Sequence, residues 1–136
     1  MITGGCLCGA VRFRVPSAPV SARVCWCRLC QKIGAGSGTV NAVFEKQGLQ
    51  VEGDLTDYES VADSGNRMHR RFCRVCGTPV FSESEARPDL VLIRVGALDD
   101  PEVARPAATI WVNSAPTWAC IDAGLPTVEQ QPPPSP

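Results

Sequence analysis

The sequence predicts a mainly β protein with little helix, a single small domain built of antiparallel sheets, and three observations predict it. Glycine and proline, 12 of each in 136 residues, interrupt the chain so often that few windows reach helix length. The segments between them are short and rich in Val, Ile, Thr and Phe, side chains that pack well on a pleated surface. In the clearest segments, apolar and polar residues alternate at period two.

Val11-Arg12-Phe13-Arg14-Val15 is the plainest strand, with one face for a core and one for water. Further strands are expected from Gly38 to Phe44, Leu49 to Glu52, Thr56 to Ser60, Met68 to Phe72, Thr78 to Ser82, Leu90 to Val95 and Thr109 to Asn113. The best helical stretch is one or two turns from Trp26 to Ile33, stopped by Gly34-Ala35-Gly36. Leu98-Asp99-Asp100-Pro101 reads as a turn, because Asp side chains bond nearby backbone and proline presets its own dihedral. From Gln130 the chain reads Gln-Gln-Pro-Pro-Pro-Ser-Pro, without an apolar side chain suited to a core. Residues 130–136 are therefore expected to be a disordered Pro-rich tail behind one domain over 1–129.

Composition excludes several classes. Hydrophobic residues at 44% and charged residues at 20% lie near globular averages. The longest apolar stretches, such as Leu90 to Val95, fall far short of the roughly 20 residues a bilayer-spanning helix needs. No membrane partner is expected. The first residues lack a basic region followed by an apolar core, so a cytoplasmic location is the expectation. A formal net charge of -1 provides no field to draw a polyanion, which argues against nucleic acid.

Eight cysteines beside one histidine is the outlying count. In a compartment that keeps thiols reduced, metal binding explains it better than a disulfide framework. Seven of the eight fall into tight groups: Cys6-Leu7-Cys8, Cys25-Trp26-Cys27-Arg28-Leu29-Cys30 and Cys73-Arg74-Val75-Cys76. Thiolates crowded this closely repel one another unless a cation lies between them, and zinc favours tetrahedral sulfur ligation. An iron–sulfur cluster is the smaller competitor, because the spacings do not match the ferredoxin runs.

The ligands divide by the residue that follows them. Cys8 and Cys76 are each followed by glycine, Gly9 and Gly77, which lets the backbone turn tightly around a metal. These two groups read as matched knuckles supplying Cys6, Cys8, Cys73 and Cys76 to a closed structural zinc. The remaining group supplies Cys25, Cys27 and Cys30, and three protein ligands with one open position is the arrangement of a catalytic zinc. Two zinc ions per chain are thus expected. Cys120, within Trp118-Ala119-Cys120-Ile121, reads as a small core hydrophobe, the alternative being a fourth ligand that closes the second site. His69, in Arg67-Met68-His69-Arg70-Arg71, reads as an exposed strand position.

Gly5-Cys6-Leu7-Cys8-Gly9-Ala10-Val11, the Cys25 to Lys32 cluster and Arg71-Phe72-Cys73-Arg74-Val75-Cys76-Gly77-Thr78 together resemble the glutathione-dependent formaldehyde-activating enzyme family, which includes the centromere protein V homologues. Gly96-Ala97-Leu98-Asp99-Asp100-Pro101, Ile110 to Trp118 and Gly124-Leu125-Pro126 are similar to that family's later landmarks, in order. The resemblance implies a β-tent fold, a structural zinc and a second zinc on the three-cysteine loop. It implies carbon–sulfur lyase chemistry that interconverts glutathione and formaldehyde with S-hydroxymethylglutathione, so a small-molecule thiol, glutathione, is the expected partner; the alternatives are a non-catalytic zinc-stabilised interaction module, or the same site acting on a different thiol or electrophile. By motif position Cys25, Cys27 and Cys30 take the catalytic role.

Many relatives carry histidine where this chain has Trp26 and Thr109, and Arg-Lys where it has Gln31-Lys32. Lys32 is the candidate for steadying thiolate or substrate charge. Arg67, Arg70, Arg71 and Arg74 cannot all serve one pocket, because adjacent strand residues face opposite sides. A solvated strand face is the expectation for them.

Overall fold

The computed structural model describes residues 1–133, and the prediction of a tail falls outside the described residues over 134–136. Eleven strands and one short α-helix run in the order β1 (Ile2–Gly5), β2 (Arg12–Val15), β3 (Ser21–Cys25), α1 (Arg28–Ile33), β4 (Thr39–Glu45), β5 (Gln50–Glu52), β6 (Leu55–Val61), β7 (Arg67–Cys73), β8 (Pro79–Ser84), β9 (Leu90–Arg94), β10 (Thr109–Ile110) and β11 (Thr127–Val128). Three 3-10 turns, Val95–Ala97, Pro101–Ala104 and Val112–Ser114, complete the described residues. The mainly β expectation holds.

Strands β1, β2 and β5 form a three-stranded antiparallel sheet, and the other eight form one sheet in the order β11-β10-β3-β4-β9-β8-β7-β6. That larger sheet is antiparallel except at one end, where β10 runs parallel to both β3 and β11. The alternation of β2 sends Phe13 and Val15 inward. They meet Ala42, Phe44, Val91 and Ile93 of β4 and β9 in the main core. Phe13 touches Phe81 edge-on, ring centroids 5.1 Å apart, so aromatic contact joins the two sheets. Arg12 on the outer face pairs with Asp99, whose carboxyl it holds down at about 2 together with a hydrogen bond from Thr3.

This burial gives the large sheet two unlike faces. Ala42, Phe44, Val91 and Ile93 face the core, whereas Asn41, Val43, Leu92 and Arg94 face a cavity. Strand β4 is therefore buried on both sides, and the polar residues it buries belong to the cavity face.

Three expectations need correction. The predicted strand to Asn113 stops at Ile110, because Trp111 adopts φ 58°, in the left-handed region, and turns the chain into the 3-10 turn at Val112–Ser114. The predicted helix begins at Arg28, with Cys27 as its cap and Trp26 outside it. Cys120 does not fill the core: it is exposed, in a loop without a strand partner, next to Trp118 at 70% exposure.

Candidate metal centres and cavity

The first and third cysteine groups meet where the small sheet abuts the β7–β8 turn. The sulfurs of Cys6, Cys8, Cys73 and Cys76 all lie within 4.8 Å of one another. The Sγ distances are 3.6 Å from Cys6 to Cys8 and 3.8 Å from Cys8 to Cys73. A tetrahedral zinc with bonds of about 2.3 Å sets its sulfurs about 3.8 Å apart, so the cage has the size the ion requires. The two knuckles match as their sequence suggests. Gly9 and Gly77 take φ of 82° and 76°, and their amides donate back to the carbonyls of Cys6 and Cys73. Amide groups also point at sulfur, Val11 N to Cys6 Sγ at 3.2 Å and Val75 N to Cys73 Sγ at 3.3 Å, as a thiolate favours. Hydrogen bonds from Thr78 hold the Cys76 thiol down at about 5.

The second cluster is more deeply buried. Cys25 ends β3, Cys27 caps α1 by accepting from Cys30 N at 3.3 Å, and Cys30 follows on the first turn. All three are buried, with their sulfurs within 4.8 Å of one another. Hydrogen bonds from Cys25 and Cys27 drive the Cys30 thiol far down, while those same contacts push Cys25 far up. Three thiols so close cannot all ionise unaided, so the donor set fits a divalent cation. Cys120 belongs to neither cluster.

The helix that carries Cys27 and Cys30 is locked from below by Gln31. Its Nε2 donates to the carbonyls of Trp26 at 2.7 Å and Ser114 at 2.9 Å, and Arg28 donates to its Oε1. Gln31 is therefore a positioning residue. Trp26 is buried against Gly38, where a Cβ would come within 3.0 Å of the indole. Lys32 is exposed at the end of α1 and does not line the cavity.

The three-cysteine cluster opens onto a cavity of about 800 Å³, within the range of small-molecule sites. Strand register composes its floor: Cys25 stands opposite Thr39, Arg23 opposite Asn41, and Asn41 opposite Arg94. Arg94 is 8% exposed and donates to Asn41 Oδ1, Asn41 Nδ2 donates to Thr39 Oγ1 at 3.0 Å, and the Thr39 side chain helps to hold the Cys30 thiol down. Nothing in the sequence marked this buried chain as a unit, since its members are spread over β9, β4 and α1.

Arg23, Arg70 and Arg94 all line the cavity, and among the described residues none forms a salt bridge with a carboxylate. On the other face Arg71 pairs with Glu83 at 3.0 Å, so the expected division of Arg70 and Arg71 between two faces is present, but Arg70 faces the cavity. Burial pushes the Arg23 and Arg94 guanidiniums down, and nearby Cys25 and Cys30 oppose it. The Nε of Arg94 is buried without a partner. A buried cation lacking a carboxylate fits an anionic centre beside it, as three thiolates on a divalent ion would be. His69 is half-buried on β7 between Asp57 at 2.8 Å and Glu85 at 3.1 Å, so it belongs to a strand-bridging ion network away from the cavity.

Fold and site together define a small β domain with two cysteine clusters able to hold metal ions, one at the edge of the sheets and one facing a cavity. The chain belongs to the glutathione-dependent formaldehyde-activating enzyme family, whose model matches residues 1–114. It is 29% identical over 130 residues to a Halomonas elongata protein named "Putative glutathione-dependent formaldehyde-activating enzyme", a match spanning 90% of this chain and 82% of the relative. It is also similar to the crystal structure of a Rhodobacter sphaeroides protein, with a TM-score of 0.57 and 27% identity, over 71% of this chain and 87% of that one.

Proposed function

We propose that the protein is a zinc-dependent carbon–sulfur lyase-type enzyme that interconverts glutathione and formaldehyde with S-hydroxymethylglutathione. The observation that carries this reading is the cavity itself: three cysteine sulfurs at one end and, along its lining, three arginines that have no carboxylate partner among the described residues, a place for an anionic thiol. In this reading Cys6, Cys8, Cys73 and Cys76 hold a structural zinc, and Cys25, Cys27 and Cys30 hold a second one with a coordination position open. Bound zinc would supply the positive charge that keeps a substrate thiol deprotonated near neutral pH.

The chain's own residues do the rest. Arg70 and Arg23 pair with substrate carboxylates and hold the thiol in place, which removes the entropy barrier of an otherwise bimolecular addition. In the forward step the sulfur forms a bond to the aldehyde carbon, the carbonyl π pair moves onto oxygen, and that oxygen takes a proton. The reverse step breaks the carbon–sulfur bond and restores the aldehyde. Arg94, held by Asn41, offsets the negative charge of the three-thiolate centre. Lys32, exposed and outside the cavity, has no part in the step.

Exchange NMR on zinc-loaded protein tests this. At equilibrium, glutathione, formaldehyde and their adduct should interconvert faster with the protein than without it. An exchange rate equal to the uncatalysed one, in protein holding both metals, rejects the reading.

A further inference from the structure

Residues 129–133 lie outside the stretch that the family model matches, yet three of them, Gln131, Pro132 and Pro133, line the cavity. Strand β11 anchors them, with Thr127 and Val128 paired in parallel to Thr109 and Ile110. Beyond it the amide of Asn113 donates to the Glu129 carbonyl at 3.2 Å, and the amide of Trp111 to the Gln130 carbonyl at 3.4 Å. Trp111 Nε1 then donates to Gln131 Oε1 at 3.0 Å. These bonds carry the chain across the cavity, so that Gln131, Pro132 and Pro133 line it with Cys25 and Cys27.

Two further features show a built wall. Trp111 holds φ 58°, a conformation a bulky residue keeps only where its surroundings over-determine it, and this strap receives two of its hydrogen bonds. Consecutive prolines fix φ and stiffen the segment that follows the last of those bonds. With Gln131 Oε1 taken by Trp111, the Nε2 donors of the same amide have no partner among the described residues and can meet a carbonyl or carboxylate.

We propose that Gln131–Pro133 is a specificity wall that limits the size of thiol reaching the Cys25, Cys27 and Cys30 centre and gives the Gln131 amide to a peptide-like substrate. The inference rests on the cavity being a thiol site. The substrate class it selects is a small anionic peptide thiol rather than a bulky or protein-borne one.

The test compares three metal-loaded proteins: the full chain, a chain ended at Glu129, and Gln131→Ala, which keeps the backbone bonds of Glu129 and Gln130. Modification of Cys25, Cys27 and Cys30 by iodoacetamide and by fluorescein maleimide is followed by site-resolved mass spectrometry. The ratio of small-reagent to bulky-reagent rates should fall about tenfold in the shortened chain, the low end of what a methylene-sized difference is worth in a closed pocket. The KM for glutathione should rise about tenfold in both variants. An unchanged ratio and an unchanged KM overturn the wall. Should the shortened chain not fold, an unchanged KM in Gln131→Ala overturns it alone. If the full chain does not act on glutathione while the ratio still falls on shortening, the lyase reading fails and the wall stands.

Discussion

Asn41 on β4 and Arg94 on β9 stand opposite one another in the sheet, and the buried guanidinium donates to Asn41 Oδ1 within the cavity floor. The pair puts a positive charge next to the three-cysteine cluster without a carboxylate to neutralise it. Much of the site's chemistry follows from that placement.

Arg94→Met keeps the length of the side chain and removes the charge. If Arg94 balances an anionic metal centre, this variant should bind the second zinc about 10- to 100-fold more weakly, the usual cost of losing an outer partner of a metal ligand. Competition with a chelator measures it. The variant also leaves the buried Asn41 Oδ1 without its donor, so the zinc-loaded protein should lose about 1–3 kcal/mol of stability. Unchanged zinc affinity would show that Arg94 acts on something else.

Cys73→Ser should unfold or aggregate the protein, because metal affinity in a closed four-sulfur site is also folding energy. Cys73 is buried at the junction of the two sheets, so the loss reaches both. A soluble variant with the parental melting temperature contradicts the structural assignment.

Cys27→Ser and Cys120→Ser form a matched pair. The first removes a sulfur ligand while the serine hydroxyl can still cap α1, and should release the second zinc and abolish activity while the sheets persist. The second changes an exposed loop residue and should alter stability by less than about 0.5 kcal/mol. Metal analysis separates them: loss of zinc from Cys120→Ser would mean that Cys120 reaches the cluster in solution.

His69 gives a pH-dependent prediction. Its pKa is raised by the hydrogen bond to Asp57 and, against some burial, by Glu85. A folded-state pKa above the unfolded value contributes stability that is complete below the unfolded pKa and is lost as pH rises through the folded one. His69→Gln should therefore destabilise the protein more at pH 5.5 than at pH 9. Parallel melts of parent and variant cancel the pH dependence of metal binding, and an equal loss at both values contradicts the charged pair.

Local patterns were legible in the sequence, and tertiary register was not. Cysteine spacing and following glycine identified both clusters, because each knuckle is a few residues long and closes on itself. Alternation identified β2, and short segments between turn residues identified β7. Strand β1 escaped, since Ile-Thr-Gly-Gly has low strand propensity and is held by pairing with β2. Strand β3 escaped because Arg23 interrupts an otherwise apolar run, and its reason for being there is the cavity. Arg23, Asn41 and Arg94 are 18 or more positions apart in the chain and meet only through strand register. Trp118 to Ile121 looked like core by composition, but composition without periodicity does not say which side faces in.

The central claim is that the three-cysteine centre leaves a coordination position for a substrate thiol. Cobalt(II)-loaded protein titrated with glutathione tests it most directly, because each sulfur ligand adds to the sulfur-to-cobalt charge-transfer absorption. Glutathione should give a saturable rise in that absorption, absent in Cys27→Ser. A spectrum unchanged at saturating glutathione, in protein holding two cobalt ions, would contradict it.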